Sequence, residues 1–259
     1  MAKEKDEMKK YLMMFLALML MAPGLIFSDT VTFRLGYFIP RAESDLWDIE
    51  FENMSFTKSD FQNTAFGFSY EYFINRQISF GLSIEGYNEQ NVGYYRGYVG
   101  YADADGDWAY PDVYVGDFDP SHSFSVTITP IQASIKLTPF GRDKMIIPYI
   151  GGGAGVYIWS VKLQGDMIDF SDEWYDVNEG VIIYPIYQVD AREESKFALG
   201  FHGFGGVMVP IGRRISLAGE FRYNVAKGEF SEDEYAGFAG FQAFDLSGYS
   251  ISVALNYWF

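Results

Sequence analysis

Large apolar side chains recur at every second position in eight segments of this chain. The last is the most regular: Tyr249, Ile251, Val253, Leu255, Tyr257 and Phe259 fill all the odd positions up to the final residue. A period of two is the mark of a β-strand with one apolar face. The same rule selects 31–39, 65–73, 78–85, 124–137, 148–159, 197–209 and 215–225. In 124–137 the apolar set is Val126 and Ile128 before Pro130, then Ile131, Ala133, Ile135 and Leu137 after it. That apparent change of parity at a proline predicts a β-bulge. Segments five and six are rich in glycine, and their facing is less sharply defined by the pattern.

The connections alternate in length. Those after segments two, four and six are short, and those after one, three, five and seven are long. Eight strands with short turns at one end and long loops at the other predict an all-β, up-and-down antiparallel barrel. In a transmembrane barrel of this layout the loops are extracellular and the turns, with both chain ends, are periplasmic. Closure would remove the free sheet edge that hydrocarbon does not tolerate.

Charge separates the two faces of the strands. The whole chain carries 35 acids and 19 Lys plus Arg. The four long connections (40–63, 88–123, 161–196 and 226–245) hold 27 of those acids and only 7 of the bases. The short turns carry Arg76, Arg142, Lys144, Arg213 and Arg214 against Asp143. Within the strands stand Arg34, Glu71, Glu85, Lys136, Glu220 and Arg222, three of each sign and each opposite its strand's apolar stripe. A base facing lipid at the bilayer middle costs about 2–4 kcal/mol. The equal count therefore predicts a neutral, closed polar interior, to which His202 is added by parity. Periodicity alone also allows a soluble lipocalin-like barrel, greasy inside and charged outside. The sparse strand charge and the terminal aromatic girdle favour the membrane.

Residues 1–28 read as a cleaved secretory signal peptide: a basic end, an apolar run, then Ser28 before Asp29. A membrane-anchoring helix is the other reading, and the run is short for a span and broken at Pro23. Residues 29–259 then form the barrel domain. The chain has no cysteine, hence no disulfide and no thiol for a lipid anchor.

The segments Leu35-Gly36-Tyr37-Phe38, Pro148-Tyr149-Ile150 with the glycines that follow, Glu220-Phe221-Arg222-Tyr223 and the ending Tyr257-Trp258-Phe259 resemble the small eight-stranded outer-membrane barrels of the OmpX, OmpW and OmpA-barrel kind. The resemblance covers the strands and not the loops. It implies an outer-membrane location. It also implies that Val253, Leu255, Tyr257 and Phe259 are the C-terminal signal read by the barrel-insertion machinery. Because such barrels share a fold more than an activity, it supplies no function.

Other features carry candidate chemistry. A catalytic His202 or His122 would need a serine within hydrogen-bond reach. His202 has no serine near it in the pattern except Ser216 towards the turn, and His122-Ser123 has no evident third member. Asp103-Ala104-Asp105-Gly106-Asp107 has its glycine one ligand too early for an EF-hand, and Tyr114 stands where the closing glutamate belongs. The second and third loops are aromatic, with Tyr94, Tyr95, Tyr98, Tyr101, Trp108, Tyr110 and Tyr114, then Trp174, Tyr175, Tyr184 and Tyr187. They suit contact surfaces or long hairpins equally. Pro130 beside Gly151, Gly152, Gly153 and Gly155 suggests either a lateral opening or a simple bulge. The expectation is a monomeric, non-enzymatic barrel without cofactor, metal or nucleic-acid partner. It would be embedded in outer-membrane lipids and would meet an extracellular protein through its loops. Passive passage of a small hydrophobic ligand is the alternative, and lipid A modification the next.

Overall fold

The computed structural model describes residues 29–142, 144–232 and 237–259. The predicted signal peptide lies outside them. The strands are β1 (Thr30–Pro40), β2 (Asn63–Phe73), β3 (Ile78–Tyr94), β4 (Tyr98–Asp103), β5 (Gly106–Pro111), β6 (Ser121–Leu137), β7 (Ile147–Ile168), β8 (Trp174–Asp176), β9 (Val181–Pro210), β10 (Ile215–Gly228), β11 (Phe244–Asp245) and β12 (Gly248–Trp258). An α-helix, α1 (Asp45–Asn53), follows β1, and a short 3-10 helix, Lys58–Phe61, follows it. Eight strands close a ring in the order β1-β2-β3-β6-β7-β9-β10-β12, every neighbour antiparallel. The seam runs from Thr30 opposite Trp258 to Pro40 opposite Gly248. Each predicted segment is a barrel strand, and the ring leaves no edge.

Around the lower part of the ring, large apolar side chains face outward. Phe33, Phe66, Ile135, Ile150, Phe201, Phe221 and Val253 are each half or more exposed. A water-soluble monomer does not carry a continuous apolar band of this extent. Hydrocarbon accepts it, because closure of the ring pairs each barrel strand with a neighbour on both sides. The lower barrel is therefore a transmembrane wall, apolar outside and polar within, the reverse of a lipocalin.

The bulge predicted at Pro130 is absent. β6 pairs with β7 in one continuous register through Thr129–Ile158, Pro130–Tyr157 and Ile131–Val156. Side chains keep strict parity along β6, with Phe124, Val126, Ile128, Pro130 and Gln132 all inward. What changes at Pro130 is the solvent on each side of the wall. Below it, Ile131 and Ile135 face lipid; above it, Ser123, Ser125 and Thr127 take the outward positions. β3 does the same, passing from Phe80 and Ile84 to Asn88 and Gln90 on its outer face. The register shift lies instead at the β7–β9 pairing between Trp159 and Val161. There Ser195 adopts φ 54° and its N–H donates to Ser160 Oγ at 3.0 Å.

Strands therefore do not end where their alternation changes sign. β7 has 22 residues and β9 has 30, against the roughly 9–11 that span a bilayer. Their upper parts, with the β4–β5 hairpin, build a walled head above the membrane. Inside the head, polarity follows the rule of a soluble protein. Trp47 of α1 is only 1% exposed. Its ring centroid lies 5.0 Å from Phe61, 5.1 Å from Phe124 and 5.1 Å from Phe244, and its indole N–H donates to the Asp245 carbonyl at 3.2 Å. Asp45 and Asp48 in the first turn of α1 suit the positive end of its dipole. The helix sits in the barrel's mouth as a plug.

Removing this indole tests the plug. Trp47→Ala should cost the head about 3–5 kcal/mol. Proteolysis should then cut the head at lower denaturant, while heat-modifiable gel mobility of the lower barrel persists.

Candidate functional site

The structure turns all six strand charges into the barrel. Four of them form a ring. Arg34 Nη1 lies 2.8 Å from Glu85 Oε1, and Arg34 Nη2 lies 3.4 Å from Glu220 Oε1. Arg222 Nη2 lies 2.9 Å from Glu220 Oε1, and its Nη1 lies 3.3 Å from Glu85 Oε1. Each carboxylate thus serves two guanidiniums, the arrangement that compensates buried charge. Local sequence makes this reach possible. Arg34 on β1 and Glu85 on β3 are both in register with Gly67 of the intervening β2. A Cβ there would stand 2.9 Å from Glu85 Cγ and 3.4 Å from Arg34 Cβ. On the other side, the small Ser252 and Ala254 of β12 separate Arg34 from Glu220.

Neutral groups complete the network. Arg222 donates to Gln132 Oε1 at 2.5 Å, and Gln132 Nε2 donates to Asn224 Oδ1 at 2.9 Å and to the Tyr157 hydroxyl at 2.8 Å. Tyr149 donates to Glu220 at 3.0 Å. Lys136 pairs with Glu71, which also accepts from Ser79 at 2.5 Å. His202 faces the same interior but does not join the network. Its ring lies parallel to Phe204 at 5.9 Å, and among the described residues neither ring nitrogen has a hydrogen-bond partner. Arg222 lies against the same Phe204 ring, at 5.0 Å.

This interior is packed. The cavity bordered by Arg34, Lys136, Tyr149 and Glu220 has about 40 Å³, room for a few waters. Gly151 and Gly153 serve the packing. A Cβ on Gly151 would meet Phe204 Cζ at 2.3 Å, and one on Gly153 would strike the Ala133 carbonyl at 1.9 Å. The glycine run thus brings β6 and β7 together and seats a ring. At the periplasmic floor Phe73 stacks on Trp258 at 5.8 Å, with the Arg142 guanidinium 3.6 Å from the Phe73 ring.

The head holds a second buried polar pair. His122 Nε2 lies 2.8 Å from Glu50 Oε2, and Nδ1 lies 3.1 Å from the Asp166 carbonyl. Both ring nitrogens thus face acceptors. Ser123 points to the other face of β6 and donates to the Gln164 carbonyl at 3.3 Å. A serine–histidine pair is therefore not assembled. Glu50 eluded the strand pattern because its segment is helical. The clue was Leu46, Trp47 and Glu50 at helical spacing. An apolar cavity of about 90 Å³ adjoins the pair, between α1, Tyr95 and Phe238.

The aromatic loops divide. Tyr95 is buried against His122, and Tyr98 packs on Phe170 and Tyr184. Trp174, Tyr175 and Tyr187 remain exposed beside acids. Asp103 to Asp107 is the turn of the β4–β5 hairpin, with Gly106 at φ 138°. No group of three or more metal-ligating side chains occurs among the described residues. The C-terminal positions Val253, Leu255, Tyr257 and Phe259 all face outward.

Two outcomes are expected. Gly67→Leu should separate Arg34 from Glu85 and cost about 3 kcal/mol, read as a lower midpoint of heat-modifiable mobility. In the head, burial pushes the Tyr95 phenol up to about 12, opposed by the N–H of Ile168 and aided by Glu50 and Asp166. The Tyr110 phenol, donating to Asp176 at 2.7 Å, is likewise pushed up to about 12. An unfolded phenol ionises near 10. Their stabilisation is thus complete below pH 10 and lost as pH rises through 12. The head should loosen across that window, followed by tyrosinate absorbance and near-UV dichroism.

No family model and no curated protein matches the chain. Among solved structures it is similar to Neisserial surface protein A (14% identity, TM-score 0.47), over 90% of this chain and 97% of that one. It is also similar to the outer membrane protein OprG from Pseudomonas aeruginosa (9% identity, TM-score 0.48; 90% and 95% covered). A third is Ail, the attachment invasion locus protein of Yersinia pestis, in complex with the heparin analogue sucrose octasulfate (12% identity, TM-score 0.43; 90% and 100% covered). A closed antiparallel ring with an apolar outer band, a paired polar interior and long loops at one end is the architecture of outer-membrane barrels, and this chain is one.

Proposed function

We propose that this barrel is a non-conducting, non-enzymatic surface protein that holds a rigid, acidic and aromatic head above the outer membrane for contact with an extracellular protein. The observation that carries the reading is the filled interior. The Arg34–Glu85–Arg222–Glu220 ring occupies the transmembrane level, and the Trp47 cluster fills the mouth. A path for solutes would need both displaced. The head is a folded body whose outer surface offers Trp174 and Tyr175 beside Asp172, Glu173 and Asp176. Aromatic rings supply contact area with few rotors, and the acids select a basic partner.

One observation favours lateral passage of a small hydrophobic solute as a second reading. The β3–β6 ladder skips Glu85 and Gly86 opposite Thr129 and Pro130. A recess of about 20 Å³ lies behind the skip, lined by Phe38, Tyr87, Ile128 and Tyr157.

Planar-bilayer recording separates these readings from a pore: the wild type should show no discrete open level, and a steady conductance would overturn the proposal. Captured extracellular partners should be released as ionic strength rises. Trp174→Ala together with Tyr175→Ala should weaken capture about tenfold or more. Uptake of an apolar dye that survives Trp47→Ala but falls with a bulky residue at Gly86 would favour passage through the wall.

A further inference from the structure

The periplasmic turns do not look like turns made for water. Ile74 in the β2–β3 turn is 57% exposed, Phe140 and Met145 in the β6–β7 connection are 68% and 78%, and Ile211 in the β9–β10 turn is 59%. Along the chain Ile74, Phe140 and Ile211 stand within two to six residues of the exposed apolar positions Phe80, Leu137 and Val209 at the strand ends. The apolar surface of the belt thus runs past the strand ends into all three turns. Apolar groups at that depth are covered by the boundary between acyl chains and headgroups.

The same turns are basic. Arg76, Lys144, Arg213 and Arg214 are exposed, and Asp143 is the single acid of 74–77, 138–146 and 211–214. Arg142 is turned under the floor against Phe73 and takes no part. An open recess of about 480 Å³ lies between the first two turns, bordered by Asn75, Arg76, Gln77 and Phe140. Its walls are tied together. Gln77 Nε2 donates to the Pro139 carbonyl at 3.0 Å, the Thr138 N–H donates to the Gln77 carbonyl at 2.7 Å, and Asn75 Oδ1 accepts two backbone N–H groups at 2.8 Å.

We infer that this rim binds anionic phospholipid of the periplasmic leaflet. Lipid phosphates lie on Lys144, Arg213 and Arg214, a glycerol headgroup enters the recess, and Ile74 and Phe140 sit among the tops of the acyl chains. Two features select this occupant: continuity with the lipid belt, and a charge opposite to that of the acidic head. A basic side chain at an anionic lipid surface contributes about a fivefold gain in affinity.

The test uses the full barrel in vesicles of phosphatidylcholine, with and without phosphatidylglycerol, reading retained lipid by native mass spectrometry and the thermal midpoint. Phosphatidylglycerol should be retained preferentially and raise the midpoint, and high salt should remove both effects. The double change Arg213→Glu, Arg214→Glu should lower retention by about tenfold or more. Arg192→Glu in the head should leave it unchanged. Glycerol phosphate in solution should neither compete nor shift the midpoint. The salt response of the wild type carries the test even where the double variant inserts poorly. Equal retention of the two lipids, or retention untouched by salt and by the rim charges, would overturn the inference. So would competition by free glycerol phosphate.

Discussion

An ion in hydrocarbon must find its counter-ion within the protein, and this barrel is arranged around that requirement. Two arginines and two glutamates from three strands meet at its centre, each carboxylate within 3.4 Å of two guanidiniums. Breaking a pair of this kind leaves an uncompensated buried charge, a penalty of about 3–5 kcal/mol. The ring therefore fixes more than itself. It requires Gly67 where β2 passes between Arg34 and Glu85, and small residues where β12 passes between Arg34 and Glu220. It also fills the bore, leaving a cavity of about 40 Å³ beside it.

A single wall serves two solvents. Below the level of Pro130 the outside is lipid and the inside is a polar network. Above it the outside is water and the inside is an aromatic core. Strand geometry is indifferent to the exchange, since alternate side chains point to opposite faces throughout. The two architectures that the periodicity allowed, membrane barrel and soluble barrel, are stacked in one molecule. The long β7 and β9 carry the wall from one regime to the other, and α1 caps the junction with Trp47.

Charge follows the same axis. Acids crowd the head, the few strand charges neutralise one another, and bases collect at the periplasmic turns. In the head many acids are engaged locally: Glu50 with His122, Asp176 with Tyr110, Asp190 with Arg192 and Glu193 with Lys196. The two ends of the barrel thus carry opposite charge.

Eight strands, their inward charges and the outward C-terminal row were legible because a half-buried strand writes its two faces into alternate residues. Gly67 was not legible as a functional position, since its importance lies in what passes over it from β1 and β3. Pro130 was misread for a physical reason: apolar spacing reports which face meets an apolar medium, and that face changed while the backbone did not. Glu50 and Trp47 were hidden because a nine-residue helix shows too few turns to stand out beside strands. The sequence by itself determined the strand count, the closed topology and the segregation of charge, all of which follow from local periodicity and from the energy of an ion in lipid. Tertiary structure alone decided where the solvent changes, which charges pair and that the mouth is plugged, because each depends on distances between residues far apart in the chain.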